Sequence, residues 1–124
     1  MIAIPLDTKD STLISKLYGS APFFALMDAQ TGTFRVVENE GAGDGEDTAN
    51  FVSSTGTTCT IFYHMGEGLY KCLNENDVDV YSSLQVELTL EDIYVGFLKN
   101  DFKKLDDNNV STLINSGNCT CAKK

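Results

Sequence analysis

The stretch from Cys59 to Leu73, Cys-Thr-Ile-Phe-Tyr-His-Met-Gly-Glu-Gly-Leu-Tyr-Lys-Cys-Leu, narrows the folds open to this chain more than any other. Residues 58–63, all but Cys59 β-branched or aromatic, read as a buried strand. Leu69, Cys72 and Leu73 then recur at i, i+3 and i+4, which places them on one side of a helix over about 67–75. Asn76-Asp77 turns the chain, and Val78 to Tyr81 predicts a further short strand. Two strands joined by a helix imply a parallel crossover. The glycine turn at 66–68 therefore lies where a strand ends and a helix begins. In open α/β sheets ligands bind at that point. The unpaired N–H groups and partial positive charge of a helix's first turn suit an anion.

The flanking segments predict the rest of the sheet. Ile2 to Leu6 reads as a buried first strand, with Pro5 tolerated near its end and Asp7 at its carboxyl end. Leu13, Ile14 and Leu17 have helical spacing, with Ser11 or Thr12 as cap and Gly19 as stop, so a short helix is expected. Phe23–Asp28 and Phe34–Glu38 flank the loop Ala29-Gln30-Thr31-Gly32-Thr33, a hairpin signal. Glycines at 41, 43 and 45 mark a flexible connection. Asp44, Glu46 and Asp47 then open a helix through about Ser53, closed by Gly56. Thr89 caps the clearest helix, whose Leu90, Ile93, Tyr94, Phe97 and Leu98 form a wide apolar face. Glu91 and Asp92 in its first turn and Lys99 in its last suit the helix dipole.

After Asn100 the pattern decays, although Val110, Leu113 and Ile114 allow one more helical turn. Residues 1–100 are thus expected to form one α/β domain, and 101–124 a partly mobile extension ending in Cys119-Thr120-Cys121. The order β, short α, β, β, α, β, α, β, α predicts a mixed sheet of about five strands with helices on both faces.

At 124 residues such a domain buries a core without disulfides or metals. A net charge of −9, with Arg35 the single arginine, opposes binding to nucleic acid or an anionic membrane, which needs clustered cations. Phe23 to Met27, the longest apolar run, is too short to span a bilayer. Met1-Ile2-Ala3-Ile4-Pro5 has neither the basic segment nor the cleavage site of a signal peptide, so a cytoplasmic location is expected. In that compartment the four cysteines are free thiols or metal ligands.

Chemistry-bearing residues gather around two segments. His64 is the chain's only histidine, and imidazole is the commonest metal ligand; a solvated strand-end histidine is the plainer account. Met65 adds a soft sulfur suited to copper or a metal–sulfur cluster. The backbone of Gly66, Glu67 and Gly68 can hold an anion. Ser15, Lys16, Gly19 and Ser20 flank a bend where Lys16 can neutralise an anion and the hydroxyls can donate to it, although turn chemistry explains serine and glycine there as well. Cys119 and Cys121 lie beside Lys123 and Lys124, which favour thiolates. Two thiolates hold a soft metal only if other ligands complete the site. Cys59 and Cys72 read as core residues. Asp7, Glu38, Asp44, Glu46 and Asp47 raise a Mg²⁺-dependent phosphate-ester hydrolase as an alternative, with solvated acids the simpler account. No phosphate-loop or dinucleotide motif is present, and a single histidine leaves no supported catalytic triad.

Several phrases recur in a known order. They are Met1-Ile2-Ala3-Ile4-Pro5-Leu6-Asp7, Ile14 to Phe24, Val37-Glu38-Asn39, the glycines around Gly43, Gly66-Glu67-Gly68, Val78-Asp79-Val80-Tyr81 and Thr89-Leu90-Glu91-Asp92-Ile93. Together they span about residues 1 to 98, and they resemble the accessory-protein family of nitrogenase iron–molybdenum cofactor biosynthesis, which includes small orange-protein-like members. The resemblance implies a three-layer α/β/α ribonuclease-H-like fold. It also implies a carrier that binds an iron–sulfur or molybdenum-containing cofactor, or its precursor, without turnover. A protein partner in cofactor assembly is implied too, with the chain itself a monomer or weak dimer. One departure bears on the ligands. Many members have His-Phe-Gly where this chain has Leu17-Tyr18-Gly19, and leucine cannot ligate a metal. Either His64 or a cysteine substitutes, or the chain has kept the fold, lost the ligand and acts by protein contact alone.

Overall fold

The computed structural model describes residues 1–84, 86–106 and 109. Cys119, Cys121 and the helical turn expected around Val110, Leu113 and Ile114 lie outside the described residues. The elements are β1 (Ile2–Leu6), β2 (Phe23–Met27), β3 (Phe34–Glu38), α1 (Gly45–Ser54), β4 (Cys59–Phe62), α2 (Glu67–Glu75), β5 (Asp79–Ser82), α3 (Leu90–Lys99) and β6 (Lys103–Lys104). The strands form one six-stranded mixed sheet in the order β3-β2-β1-β4-β5-β6. β1 runs antiparallel to β2 and parallel to β4, and β4 runs parallel to β5 across α2, the crossover that the sequence predicts.

The strand alternation divides the core in two. Ala3 faces one side of the sheet, where α1 and α2 bring Ala49, Val52, Leu69, Tyr70 and Leu73. Ile2, Ile4 and Leu6 face the other, where α3 brings Leu90 and Ile93. Helices thus cover both faces. Each fully buried leucine, isoleucine or phenylalanine contributes about 1.5–3 kcal/mol of apolar transfer, which is why a near-continuous apolar β1 belongs at the centre.

No helix forms between Ser11 and Gly19. The backbone there is recruited by distant strands and loops: Ile14 N–H donates to Leu88 O (2.9 Å), Ser15 N–H to Pro5 O (2.7 Å), and Leu13 bridges Thr89. The Ser11 and Ser15 hydroxyls accept the N–H groups of Leu13 and Leu17, local bonds that compete with helix. Ile14 enters the core while Leu17 is 61% exposed.

The sixth strand has no apolar pattern to announce it. It is placed by what surrounds it. Asn100 takes the left-handed conformation (φ 57°) that ends α3. The Phe102 ring then lies against Gly96, where a Cβ would collide with it. Phe102 stacks edge-on to Phe97 (5.2 Å), which does the same to Tyr81 (5.0 Å). Leu105 N–H bonds Val80 O (2.8 Å), and its side chain is 3% exposed. Leu98 is 56% exposed, outside the apolar face expected of it. Cys59 and Cys72 are half-buried beside the core and not within it.

Candidate functional site

β4 delivers Tyr63, His64 and Met65 to the carboxyl edge of the sheet, and Gly66 then starts α2. Gly66 is extended (φ −78°, ψ 157°) and has no side chain to cap the helix. The first helical bond is Tyr70 N–H to Gly66 O (3.1 Å), so the N–H groups of Glu67, Gly68 and Leu69 have no intrahelical acceptor. A Cβ at Gly66 or Gly68 would meet no atom within 4 Å. The helix start is open.

A cleft of about 360 Å³ lies at this end, lined by Leu17, Tyr18, Gly19, Ser20, Gly45, His64, Met65, Gly66 and Leu69. Of the residues singled out in the sequence, Gly19, Ser20, His64, Met65 and Gly66 meet here. Four others do not line it. Ser15 is buried and its hydroxyl donates to Asp7 Oδ1 (2.7 Å), a structural role. Lys16 turns away, 3.8 Å from Glu87 and 5.7 Å above the Tyr63 ring. Glu67 directs its carboxylate to Lys71 (3.9 Å), and Gly68 lies one residue into the helix. Cys119 and Cys121 lie outside the described residues.

His64 packs edge-on against Tyr63 (4.9 Å), and its Nδ1 is buried with no hydrogen-bond partner. Met65 lines the cleft and is also part of the core that Leu69 and Leu73 share. No lysine or arginine lines the cleft, so its attraction for an anion comes from backbone N–H groups and the imidazole. Its walls are otherwise leucine, methionine, tyrosine, glycine and Ser20.

Tyr18 lies beneath the loop, its hydroxyl 2.7 Å from Thr60 Oγ1, which itself donates to Ala3 O (2.7 Å). Burial pushes the Tyr18 phenol well above its ordinary range, only partly offset by the Thr60 bond. Burial likewise pushes the Cys59 and Cys72 thiols up, so neither is predisposed to the thiolate a soft metal needs.

The glycine segment 41–45, expected as a flexible connection, is tied down. Gly43 N–H donates to Gly19 O (2.9 Å). The Thr48 hydroxyl lies 3.1 Å from Gly19 O and 2.9 Å from Gly41 O. Asn39 Nδ2 donates to Ala21 O (2.8 Å) and to Thr48 Oγ1 (3.1 Å), while its Oδ1 accepts Gly41 N–H (2.9 Å). Gly41 packs so closely on the Asp47–Thr48 backbone that a Cβ there would collide with it. This latch fixes one wall of the cleft, and the sequence reading missed it. Its signal was a polar asparagine directly after a strand, followed by a threonine within a helix on the inward side.

The acids proposed for Mg²⁺ do not gather. Asp7 receives Ser15, Asp44 caps α1 by accepting Asp47 N–H (3.0 Å), and Glu38 is exposed on β3. Among the described residues no three of histidine, cysteine, aspartate and glutamate are placed to hold a metal ion. Among them, too, no helix is long and apolar enough to cross a membrane.

A family profile described as "Dinitrogenase iron-molybdenum cofactor" matches residues 1–99. No curated protein sequence matches the chain significantly. Two solved structures show the same fold. The apo form of the orange protein from Desulfovibrio gigas has TM-score 0.73 and 21% identity, covering 84% of this chain and 91% of that one. A putative NifB protein from Thermotoga has TM-score 0.69 and 26% identity, again covering 84% and 91% of the two chains.

Proposed function

The chain belongs to the dinitrogenase iron-molybdenum cofactor family, and on that premise we propose that it is a non-catalytic carrier for an anionic metal–sulfur cofactor or its precursor, of iron–sulfur or molybdenum type. The observation that carries this reading is the uncapped start of α2 opening into a soft-walled cleft. Three backbone N–H groups and a helix dipole favour a negative charge there. The leucine, methionine and tyrosine in its walls suit a large, weakly hydrated, polarisable anion.

The donor set fits an assembled anion and not a bare cation, since no three ligating side chains meet among the described residues. His64, whose buried Nδ1 has no hydrogen-bond partner, is the one residue with a side-chain nitrogen among those lining the cleft. Cys119 and Cys121 would add thiolates as the soft ligands that the half-buried cysteines do not offer. Within this reading the ribonuclease-H-like layering supplies a rigid frame for the cleft, the setting is the cytoplasm, and the cargo passes to a protein partner in cofactor assembly.

The test is Gly66→Asp. Aspartate is a strong N-cap and has room at this position, so it should raise the melting temperature slightly while its carboxylate takes the free N–H groups. Uptake of tetrathiomolybdate or an iron–sulfur cluster by the anaerobically purified protein, followed by metal analysis and the visible spectrum, should weaken by about tenfold or more. Absence of metal, chromophore and uptake in the parent protein would sink the proposal, as would uptake indifferent to Gly66→Asp.

A second reading rests on Leu17, which lines the cleft and is 61% exposed, at the position where the family resemblance leads one to expect histidine. It is a contact-only protein, in which His64→Ala and Gly66→Asp leave partner binding unchanged.

A further inference from the structure

β3 is an outer strand of the sheet, with β2 its only paired neighbour among the described residues. Its sequence, Phe34-Arg35-Val36-Val37-Glu38, has no proline or bulge, and of the charged side chains that can blunt an exposed edge it carries only Arg35 and Glu38. Which of its backbone groups are free follows from the ladder. Asp28 N–H donates to Thr33 O (2.8 Å) and Asn39 N–H to Pro22 O (2.9 Å), at either end of a register that sets Met27 opposite Phe34 and Phe23 opposite Glu38. Hydrogen-bonded pairs alternate along an antiparallel ladder. Residues 33, 35, 37 and 39 therefore face β2, and the N–H and C=O groups of Phe34, Val36 and Glu38 point away from the sheet.

We infer that this edge pairs with the same edge of a second copy of the chain, antiparallel about a two-fold axis through Val36. A two-fold normal to the sheet keeps each side chain on its own face, so it pairs residues an even number apart. Centred on Val36, it sets Val36 opposite the partner's Val36 and Phe34 opposite the partner's Glu38, and every outward group in the strand finds a mate. Other centres fail. Arg35 would bring two guanidinium groups face to face, and Glu38 two carboxylates, both destabilising. A centre on Val37 sets Phe34 and Arg35 against residues beyond the strand's end, and one on Phe34 leaves most of the strand unpaired. The Val36 centre also lines up Phe34 and Val36 with the partner's Val36 and the partner's Phe34 on one face. Phe34 is 47% exposed and Val36 half-buried, so this row gains cover that the single chain does not give it. The interface is isologous and closes as a dimer.

Sedimentation equilibrium of the full chain tests this at an ionic strength of roughly 0.15 M, which screens the repulsion between two acidic protomers. The parent protein should show a concentration-dependent dimer. Phe34→Glu sets a glutamate opposite the partner's Glu38 twice per dimer and should weaken association by about tenfold or more. Because Phe34 is largely outside the core, the circular dichroism spectrum and melting temperature of the Phe34→Glu monomer should match the parent's. Adding Glu38→Lys to Phe34→Glu turns both repulsive pairs into attractive ones and should restore the dimer, a rescue that only this register allows. A parent protein that stays monomeric to millimolar concentration would overturn the inference. So would a dimer insensitive to Phe34→Glu, or a double variant that stays as weak as the single one.

Discussion

Tyr18 illustrates how one buried polar atom links the cleft to the core. Its ring packs edge-on to Phe24 (5.2 Å) beneath the cleft, and its hydroxyl joins Thr60 and, through it, the carbonyl of Ala3. Burial raises the phenol above its ordinary value of 10.0. The folded chain therefore holds a proton that the unfolded chain releases. The corresponding stability is fully present below pH 10.0 and is lost as pH rises above it. Tyr18→Phe should cost about 1 kcal/mol at neutral pH through the lost hydrogen bond. The gap between variant and parent should then narrow above pH 10.0, as urea midpoints on either side of that value would show. A gap that stays constant would mean the phenol ionises freely in the folded state. The sequence offered Tyr18 only within a family phrase, because a tyrosine's burial depends on the loop folded over it.

Among the elements, α3 was legible almost to the residue. Thr89 Oγ1 accepts Asp92 N–H (3.0 Å), and Asp92 Oδ2 accepts Thr89 N–H (3.2 Å), a capping box written in four consecutive residues. Thr89→Ala should cost about 1 kcal/mol and lower the melting temperature by a few degrees, read by circular dichroism. No loss would place the helix start under the control of packing and not of its cap. The segment 11–19 shows the limit of the same reasoning. Its helical spacing is real, but Pro5, Leu88 and Thr89 offer its backbone better partners from elsewhere in the chain. Periodicity reports which side chains are apolar and says nothing of competing acceptors far along the chain.

At the scale of the molecule, the sheet does not stop where the apolar pattern does. β6 and Leu105 follow the family match at 1–99, yet Leu105 packs in the same core as Val80 and Tyr70. Leu105→Ala should therefore cost about 2–5 kcal/mol, as deletion of a buried leucine does elsewhere, measured by urea denaturation. A cost near zero would make the segment a surface strap with no share in the core. The candidate site is likewise a property of the assembled chain. Three segments widely separated in sequence, around Gly19, Gly45 and Gly66, converge on one cleft because β1 and β4 are neighbours and α1 packs against α2.

The sequence by itself determined the mixed α/β class, the hairpin, the parallel crossover, the helices α1, α2 and α3 and the capping box of α3, because each is set by local spacing or by residues that satisfy their own neighbours' backbone. It also singled out the glycine turn before α2, and Gly66 of that turn lines the cleft. Only the tertiary structure decided that Ser15 and Lys16 face away from the cleft, that Asn39 and Thr48 latch its wall, and that a pair of lysines completes the sheet. These outcomes rest on partners far apart in the chain, and no local pattern records a hydrogen bond or a contact that exists only once those partners have been brought together.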